Sequence, residues 1–201
     1  MPSSAAEMVH AAGMRFPQPT RLNSIVGIGF DLLVDAAAAF DAGAIFSASV
    51  GIRSAVESAG FLYLTRIPNG PGFQVVPLKT RHGRDEKPDF EDVRQGLVAA
   101  HALPKDLLAK LVRIRDNGNY IAHFASAMDA RLMARFREDR ERALHGQNPI
   151  DDTVWLIPFP TQVFTDLKDA IEIVLALSEK MAADGFHPVS QPSRLGIDEV
   201  Q

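Results

Sequence analysis

The chain has 201 residues, a formal net charge of −4 at pH 7 and no cysteine. The length suits one domain with a full hydrophobic core, and the missing cysteines exclude disulfides, thiolate nucleophiles and cysteine-bound zinc. A mildly acidic chain lacks the overall positive charge of a dedicated duplex-DNA binder, so any nucleic-acid contact must be local. Absence of cysteine also fits a reducing compartment, and we predict a cytoplasmic protein.

The sequence contains no segment that we expect to enter a membrane. Its start lacks the basic residues and apolar run of a signal peptide. The apolar region from about 25 to 50 is interrupted by Asp31, Asp35 and Asp41. A spanning helix needs about 20 nearly uncharged residues, so we predict no membrane segment.

The first half of the chain predicts three helices and an irregular loop. Apolar residues recur at helical spacing over 4–13, 20–41 and 44–66. Asp41-Ala42-Gly43 ends the second helix, and the very short connection requires an antiparallel hairpin with the third. The proline- and glycine-rich stretch 67–88 predicts a long loop with one short strand at "FQVVPL".

The second half also predicts mainly helices. These cover 89–101, 104–117 and 119–145, with Asn117-Gly118 as a break, and an amphipathic helix follows at 161–185. In the loop between the last two, "TVWLI" could pair with "FQVVPL" to form a small two-stranded β element. We therefore predict one all-α domain over 1–186, an up-and-down helical bundle with irregular loops, followed by a disordered tail at 187–201.

A charged pair is predicted in the first hairpin. If the turn centres near Ala42, Asp31 lies level with Arg53, and Glu57 lies one turn from Arg53 on the same helix. A buried arginine needs partners, because an unpaired buried charge is costly. Two interpretations remain open. The charges either fix the register of the two helices, or Arg53 and Glu57 support a neighbouring site.

Three polar residues recur at steps of four around Asn117-Gly118, namely Arg115, Asn119 and His123. On a continuous helix they form one ridge, with Arg115 and His123 about 12 Å apart along the axis. Asn-Gly is a turn signal and is costly inside a helix. A break at Gly118 would either re-aim Arg115 toward His123 or let an asparagine cap the following helix.

Three segments of the chain resemble the HEPN-like superfamily, in its DUF4145-type helical domain. Two of them are "VRIRD" and "GNYIAHF", and the third is the earlier "AFDAGAIFSASVGIRSAVESAGFLYL", which contains Arg53 and Glu57. They cover the hairpin and one later helix, less than half of the chain. The resemblance implies a HEPN-like helical bundle that often forms a homodimer.

The resemblance also implies site residues. In active HEPN ribonucleases an arginine and a histidine of an Arg-x4–6-His motif act on RNA without metal. Carried over, His123 is the general acid or base for a ribose 2′-hydroxyl, Arg115 holds the scissile phosphate, and Asn119 orients the phosphate or His123. Asp116 follows the arginine, as a polar residue often does in that motif. Seven residues separate Arg115 from His123 here, where the motif has four to six.

Two functions are therefore expected, because many HEPN-like domains are inactive. One is a metal-independent endoribonuclease of the toxin or phage-defence type, with RNA and an antitoxin or other protein as partners. The other is a catalytically silent module that binds a partner protein or a nucleotide. Arg81, His82 and Arg84 lie in a loop that is either simply solvated or contacts RNA phosphates. No histidine pair has metal-ligand spacing, so we predict no metal and no cofactor.

Overall fold

The computed structural model describes residues 4–15, 26–69, 72–78, 80, 88–127, 137–138, 141–142, 144–147 and 160–185. For residues 26–27, 68–69, 72–73, 120 and 123–127 it describes the backbone only. The elements are α1 (Ala5–Gly13), α2 (Val26–Asp41), α3 (Ile45–Thr65), β1 (Arg66–Asn69), β2 (Gly72–Val75), α4 (Phe90–Ala99), α5 (Lys105–Ala127) and α6 (Pro160–Ala183). The described chain is all-α apart from one small antiparallel sheet, as predicted.

The first hairpin packs α2 against α3 through small residues. Gly43 turns the chain between them with a φ of +76°, a conformation that glycine adopts without strain. A Cβ placed on Gly51 would lie 3.0 Å from the Cβ of Ala36, and one on Gly29 would lie 2.9 Å from that of Ala59. The missing side chains therefore allow the two helices to approach closely.

The long helices alternate in direction around a common core. Phe40 at the end of α2 stacks on Phe164 at the start of α6, with ring centroids 5.5 Å apart. Tyr63 at the end of α3 donates to Asp184, just beyond α6, at 3.0 Å. Helix α6 is therefore parallel to α3 and antiparallel to α2. The side-chain hydrogen bonds between α5 and α6 pair the earlier residues of one helix with the later residues of the other, so these two helices are also antiparallel. The four long helices therefore form an up-and-down bundle.

Each long helix contributes fully buried aliphatic side chains to the core, as the helical spacing of apolar residues predicts. Burial of each such side chain contributes about 1.5–3 kcal/mol. Those with essentially no exposure include Leu33, Ile52, Leu111, Ile114, Ile121, Leu167, Ile173 and Leu177.

The small sheet is a hairpin that directly follows α3. Strands β1 and β2 pair antiparallel, with Arg66 opposite Val75 and Asn69 opposite Gly72. The predicted strand at "FQVVPL" is therefore present in part, and its described partner is β1. The stretch "TVWLI", residues 153–157, lies outside the described residues, as do the predicted tail at 187–201 and the loop residues Arg81, His82 and Arg84.

Two sequence predictions are wrong. Helix α5 runs without a break from Lys105 to Ala127, so Asn117-Gly118 neither interrupts the helix nor caps a new one. Asp31 is exposed and does not face Arg53. The buried face of α2 contains Leu33, Ala36 and Ala37, and Asp31 projects from the other side. Counting along a hairpin does not specify the face of the helix from which a side chain projects.

None of the described helices is both long and apolar enough to cross a membrane.

Candidate functional site

Gly118 allows α5 to approach α3 closely without interrupting the helix. A Cβ on Gly118 would lie 2.5 Å from the Cβ of Arg53 and 2.8 Å from its Cδ. Contacts this short are forbidden for real side chains, so the aliphatic part of Arg53 occupies the space that glycine leaves. This contact explains why a poor helix former stands in the middle of a continuous helix.

Asn117, the other half of the turn signal, binds α6. Its Nδ2 donates to Asp166 Oδ2 at 2.7 Å. Asp166 Oδ1 accepts from Arg113 Nε at 3.1 Å and from Arg113 Nη2 at 3.0 Å. The Asp166 side chain is only 4% exposed, so these bonds provide the partners that a buried carboxylate requires.

The polar contact between α5 and α6 continues one turn further. Arg113 Nη2 also donates to Asp169 Oδ2, and Lys110 Nζ bonds Asp169 at 2.9 Å and Glu172 at 2.6 Å. Burial alone would raise the pKa of Asp169, but hydrogen bonds from Lys110 and Arg113 outweigh burial and hold that pKa below its usual value. We call Lys110, Arg113, Asn117, Asp166, Asp169 and Glu172 the α5–α6 polar ladder.

Arg115, two residues after Arg113, points away from this ladder. Its Nη1 donates to Asp116 Oδ1 at 2.7 Å, and its Cζ lies 5.1 Å from the centre of the Phe90 ring. The side chain is 37% exposed, yet its Nε is buried and has no hydrogen-bond partner among the described residues. The only acceptor that the described part of the chain gives this guanidinium is thus its own neighbour, Asp116.

Arg53 and Glu57 lie on α3 beside this part of α5. Arg53 Nε donates to Glu57 Oε1 at 3.0 Å, and each side chain is 25% exposed. Because Arg53 packs on Gly118, the pair lies alongside the turn that connects Arg115 and Asn119. Arg53 therefore lies against the turn of α5 that follows Arg115 and Asp116, and no described hydrogen bond joins the two pairs.

The remaining predicted site residues are described less fully. Asn119 is half-buried, one turn after Arg115 on the same helix. His123 lies one turn further, and only its backbone is described. Because α5 is continuous, these positions form the single ridge that the spacing predicts, with about 6 Å of axial rise at each step.

Sequence reasoning missed two features of this region. Phe90 was not singled out, because a lone aromatic residue at a helix start has no pattern that links it to an arginine 25 positions later. Asp166 and Asp169 were also missed. Their three-residue spacing on α6 was visible, but its meaning depends on which helix packs beside it.

A separate cavity of about 360 Å³ opens at the far end of α3, away from the ridge. None of the predicted site residues contributes to its walls, which are formed by Tyr63, Leu64, Arg66, Ile67, Ala100, Met181 and Asp184. Burial and the bond to Asp184 raise the pKa of Tyr63 above its usual value, so its hydroxyl stays protonated.

Within the described ranges, no group of three or more histidine, aspartate or glutamate side chains is placed to hold a metal ion. Comparisons of the chain with protein-family models, with curated proteins and with solved structures found no match.

Proposed function

We propose that this chain is a metal-independent endoribonuclease of the toxin or phage-defence type, with a HEPN-like bundle and an active site on α5. The observation that carries the proposal is the contrast between Arg113 and Arg115. Arg113 Nε and Nη2 donate to two carboxylates of α6. Arg115 is partly exposed and has no described acceptor beyond Asp116. An arginine whose one described ion pair is with an exposed neighbour retains donors for an external anion.

The proposed chemistry uses three residues of the ridge. Neutral His123 accepts the proton of a ribose 2′-hydroxyl, and the 2′-oxygen attacks the adjacent phosphorus. The bond from phosphorus to the 5′-oxygen breaks, and that oxygen takes up a proton. The products are a 2′,3′-cyclic phosphate and a free 5′-hydroxyl. Arg115 stabilises the negative charge that develops on the phosphate oxygens, and Asn119 orients the phosphate or His123.

Arg53, Glu57 and Asp116 act indirectly in this proposal. The aliphatic part of Arg53 packs on Gly118 where α3 meets α5, and its Nε is paired with Glu57. Asp116 occupies Nη1 of Arg115 until a phosphate replaces it. From the sequence we add Arg81, His82 and Arg84 as contacts to RNA phosphates.

We further propose that the chain acts in the cytoplasm as a homodimer, with an antitoxin or other protein as a regulatory partner. A ridge on one helix supplies one side of a site, and a second copy could supply the other side. Two ridges that meet across a two-fold axis would place six cationic or polar groups around one phosphodiester.

The alternative is a catalytically inactive HEPN-like module that binds a partner protein or a nucleotide. Its specific support is the distance along α5. Arg115 and His123 are separated by about 12 Å of continuous helix, and Asp116 already accepts from Arg115. In this case Arg115 binds a phosphate, but no proton transfer follows.

Incubation of the purified protein with varied RNAs in the presence of EDTA separates the two functions. The ribonuclease proposal expects cleavage by the wild type and by His145→Ala, since His145 is an exposed residue remote from the ridge in sequence. His123→Ala should lose about 10²- to 10⁴-fold in rate. Arg115→Lys should also lose activity, because an ammonium cannot form the two parallel bonds of a guanidinium. Intact RNA together with nucleotide binding would favour the module.

A further inference from the structure

Phe90 is held in place beneath Arg115 by the start of α4. Asp89 is the N-cap of α4, and its Oδ1 accepts from Asp92 N at 2.9 Å while Asp92 Oδ2 accepts from Asp89 N at 3.0 Å. This reciprocal capping box fixes the first turn of α4. Phe90 is half-buried and packs against the main hydrophobic core. The ring is thus held from both the backbone side and the core side.

The guanidinium of Arg115 lies over this ring, with its Nε donor buried and its Nη donors toward the surface. Its Cζ is 5.1 Å from the ring centre, within the range of cation–π attraction. Nε is buried and makes no hydrogen bond within the described chain. Nη1 reaches Asp116, a residue that is itself 56% exposed. The Nη end of Arg115 therefore faces the surface, while its stem and Nε are fixed against the protein.

We infer that Phe90 is a positioning residue that holds Arg115 as a preorganised receptor for a phosphodiester. Stacking satisfies the cation without using its outer hydrogen-bond donors. A carboxylate in the position of Phe90 would hold the arginine equally firmly but would occupy those donors, as Asp166 and Asp169 do for Arg113. The aromatic ring restricts the rotamers of Arg115 before the anion arrives, which lowers the entropy lost on binding.

The identity of the anion rests on the proposed function, because an RNA phosphate is the expected ligand there. The positioning itself is testable without catalysis. A suitable probe is a short, mixed-sequence oligonucleotide with 2′-deoxy sugars, which offers phosphodiesters but has no 2′-hydroxyl to attack.

The variants are Phe90→Leu, which keeps apolar volume but removes the π face, and Phe90→Trp, which restores one. Phe164→Leu is the matched control. Phe164 also lies under a cation, with Lys168 Nζ 4.7 Å from its ring centre, but on α6 rather than beside Arg115. If Phe90→Leu is too unstable to study, Phe90→Met also removes the ring while it keeps a large apolar side chain.

Two measurements are made on each variant. The first is the NMR signal of the Arg115 Nε–H group, identified by its loss in Arg115→Lys. We expect an upfield ring-current shift in the wild type and in Phe164→Leu, and loss of that shift in Phe90→Leu. The second is binding of the 2′-deoxy probe. Phe90→Leu should weaken it by about 3- to 30-fold, the range expected from a cation–π contact, and Phe90→Trp should restore it.

A double-mutant cycle separates positioning from general destabilisation. In an Arg115→Ala background, Phe90→Leu should have no further effect on probe binding, because its effect acts through Arg115. Equal weakening in both backgrounds, or a Phe90→Leu variant that binds like the wild type, would overturn the inference.

Probe binding and RNA cleavage together distinguish a failure of the positioning inference from a failure of the ribonuclease proposal. If the wild type binds the probe in a Phe90-dependent way but leaves RNA intact, the inference stands and the ribonuclease proposal fails. If the wild type cleaves RNA and Phe90→Leu binds and cleaves equally well, the ribonuclease stands and the inference fails. If the wild type neither binds the probe nor cleaves RNA, both fail.

Discussion

Two arginines, two positions apart on α5, are used in opposite ways. Arg113 points toward α6 and completes the shell of a buried aspartate. Arg115 points toward α4 and rests on an aromatic ring with its outer end exposed. Residues two apart on a helix differ by about 200° in direction, so neighbouring identical side chains meet different environments. The surroundings of each arginine, rather than the residue type, decide whether its donors are used within the protein or left at the surface.

This contrast predicts different costs of truncation. Arg113→Ala should lower the free energy of unfolding by about 2–4 kcal/mol, because buried Asp166 loses its cation. This loss is smaller than for a fully buried pair, because the Arg113 side chain is itself 44% exposed. Arg115→Ala should lower it by less than about 1 kcal/mol, because the residue contributes one stacking contact and one exposed ion pair. Urea unfolding followed by circular dichroism measures both. Similar losses for the two variants would contradict the assignment.

Helix α5 contains a turn signal, Asn117-Gly118, yet it continues through these residues without a break. Asn117 finds an acceptor on Asp166, and Gly118 makes room for Arg53. Local propensity favours a break, but packing on two neighbours outweighs a cost of about 1 kcal/mol for glycine. The uninterrupted helix places Arg115, Asn119 and His123 on one ridge.

Gly118→Ala tests whether packing or propensity governs this position. In an unpacked helix the change should stabilise by about 1 kcal/mol. Here the new methyl group meets the Cβ of Arg53, so we expect destabilisation by about 1–3 kcal/mol from overpacking. Ala109→Gly, at an exposed position of the same helix, calibrates propensity alone. A more stable Gly118→Ala protein would show that α3 and α5 are not in close contact there.

The α5–α6 polar ladder should make the bundle sensitive to acid. The pKa of Asp169 is lowered in the folded state, so its contribution is complete above the unfolded value of about 3.9 and is lost as the pH falls through the lower folded value. The pKa of Asp41 is lowered too, by bonds from the Ala6 and Ala5 backbone, and its contribution has the same sign.

Thermal melts over the pH range from about 7 to about 2 measure this sensitivity. The melting temperature should fall as the pH drops below about 4. Asp169→Asn should begin less stable at neutral pH and show a shallower decline, since one titrating group has been removed. An acid transition that is identical in the variant would exclude Asp169 as a source.

The sequence predicted the helices of the bundle better than the contacts between them. Helical spacing identified the bundle, and the short loop at Gly43 identified its antiparallel hairpin. Apolar periodicity also gave the buried side of α6, including Val163 and Leu167. The placement of Asp31 failed because a level along a hairpin does not specify a face. Phe90 and Asp166 could not be predicted because their partners belong to helices whose packing order the sequence does not state.

We expect the protein to form a homodimer. If two ridges form one site, the protein should sediment as a dimer of 21.9 kDa chains at micromolar concentration. A charge reversal within the ridge, Arg115→Glu, should shift the equilibrium toward monomer if the two-fold axis passes near this residue. A single monomeric species throughout the concentration range would contradict the dimer.

Cleavage of RNA through the 2′-hydroxyl, without metal, is the activity proposed for the ridge of α5. The most direct measurement compares RNA and an otherwise identical 2′-deoxy strand, incubated with wild type and His123→Ala in EDTA. We expect rapid cleavage only from wild type with RNA, and fragments that end in a cyclic phosphate. The rate should fall as imidazole groups become protonated below about pH 6.5. Cleavage of the 2′-deoxy strand, or equal rates for wild type and His123→Ala, would contradict it.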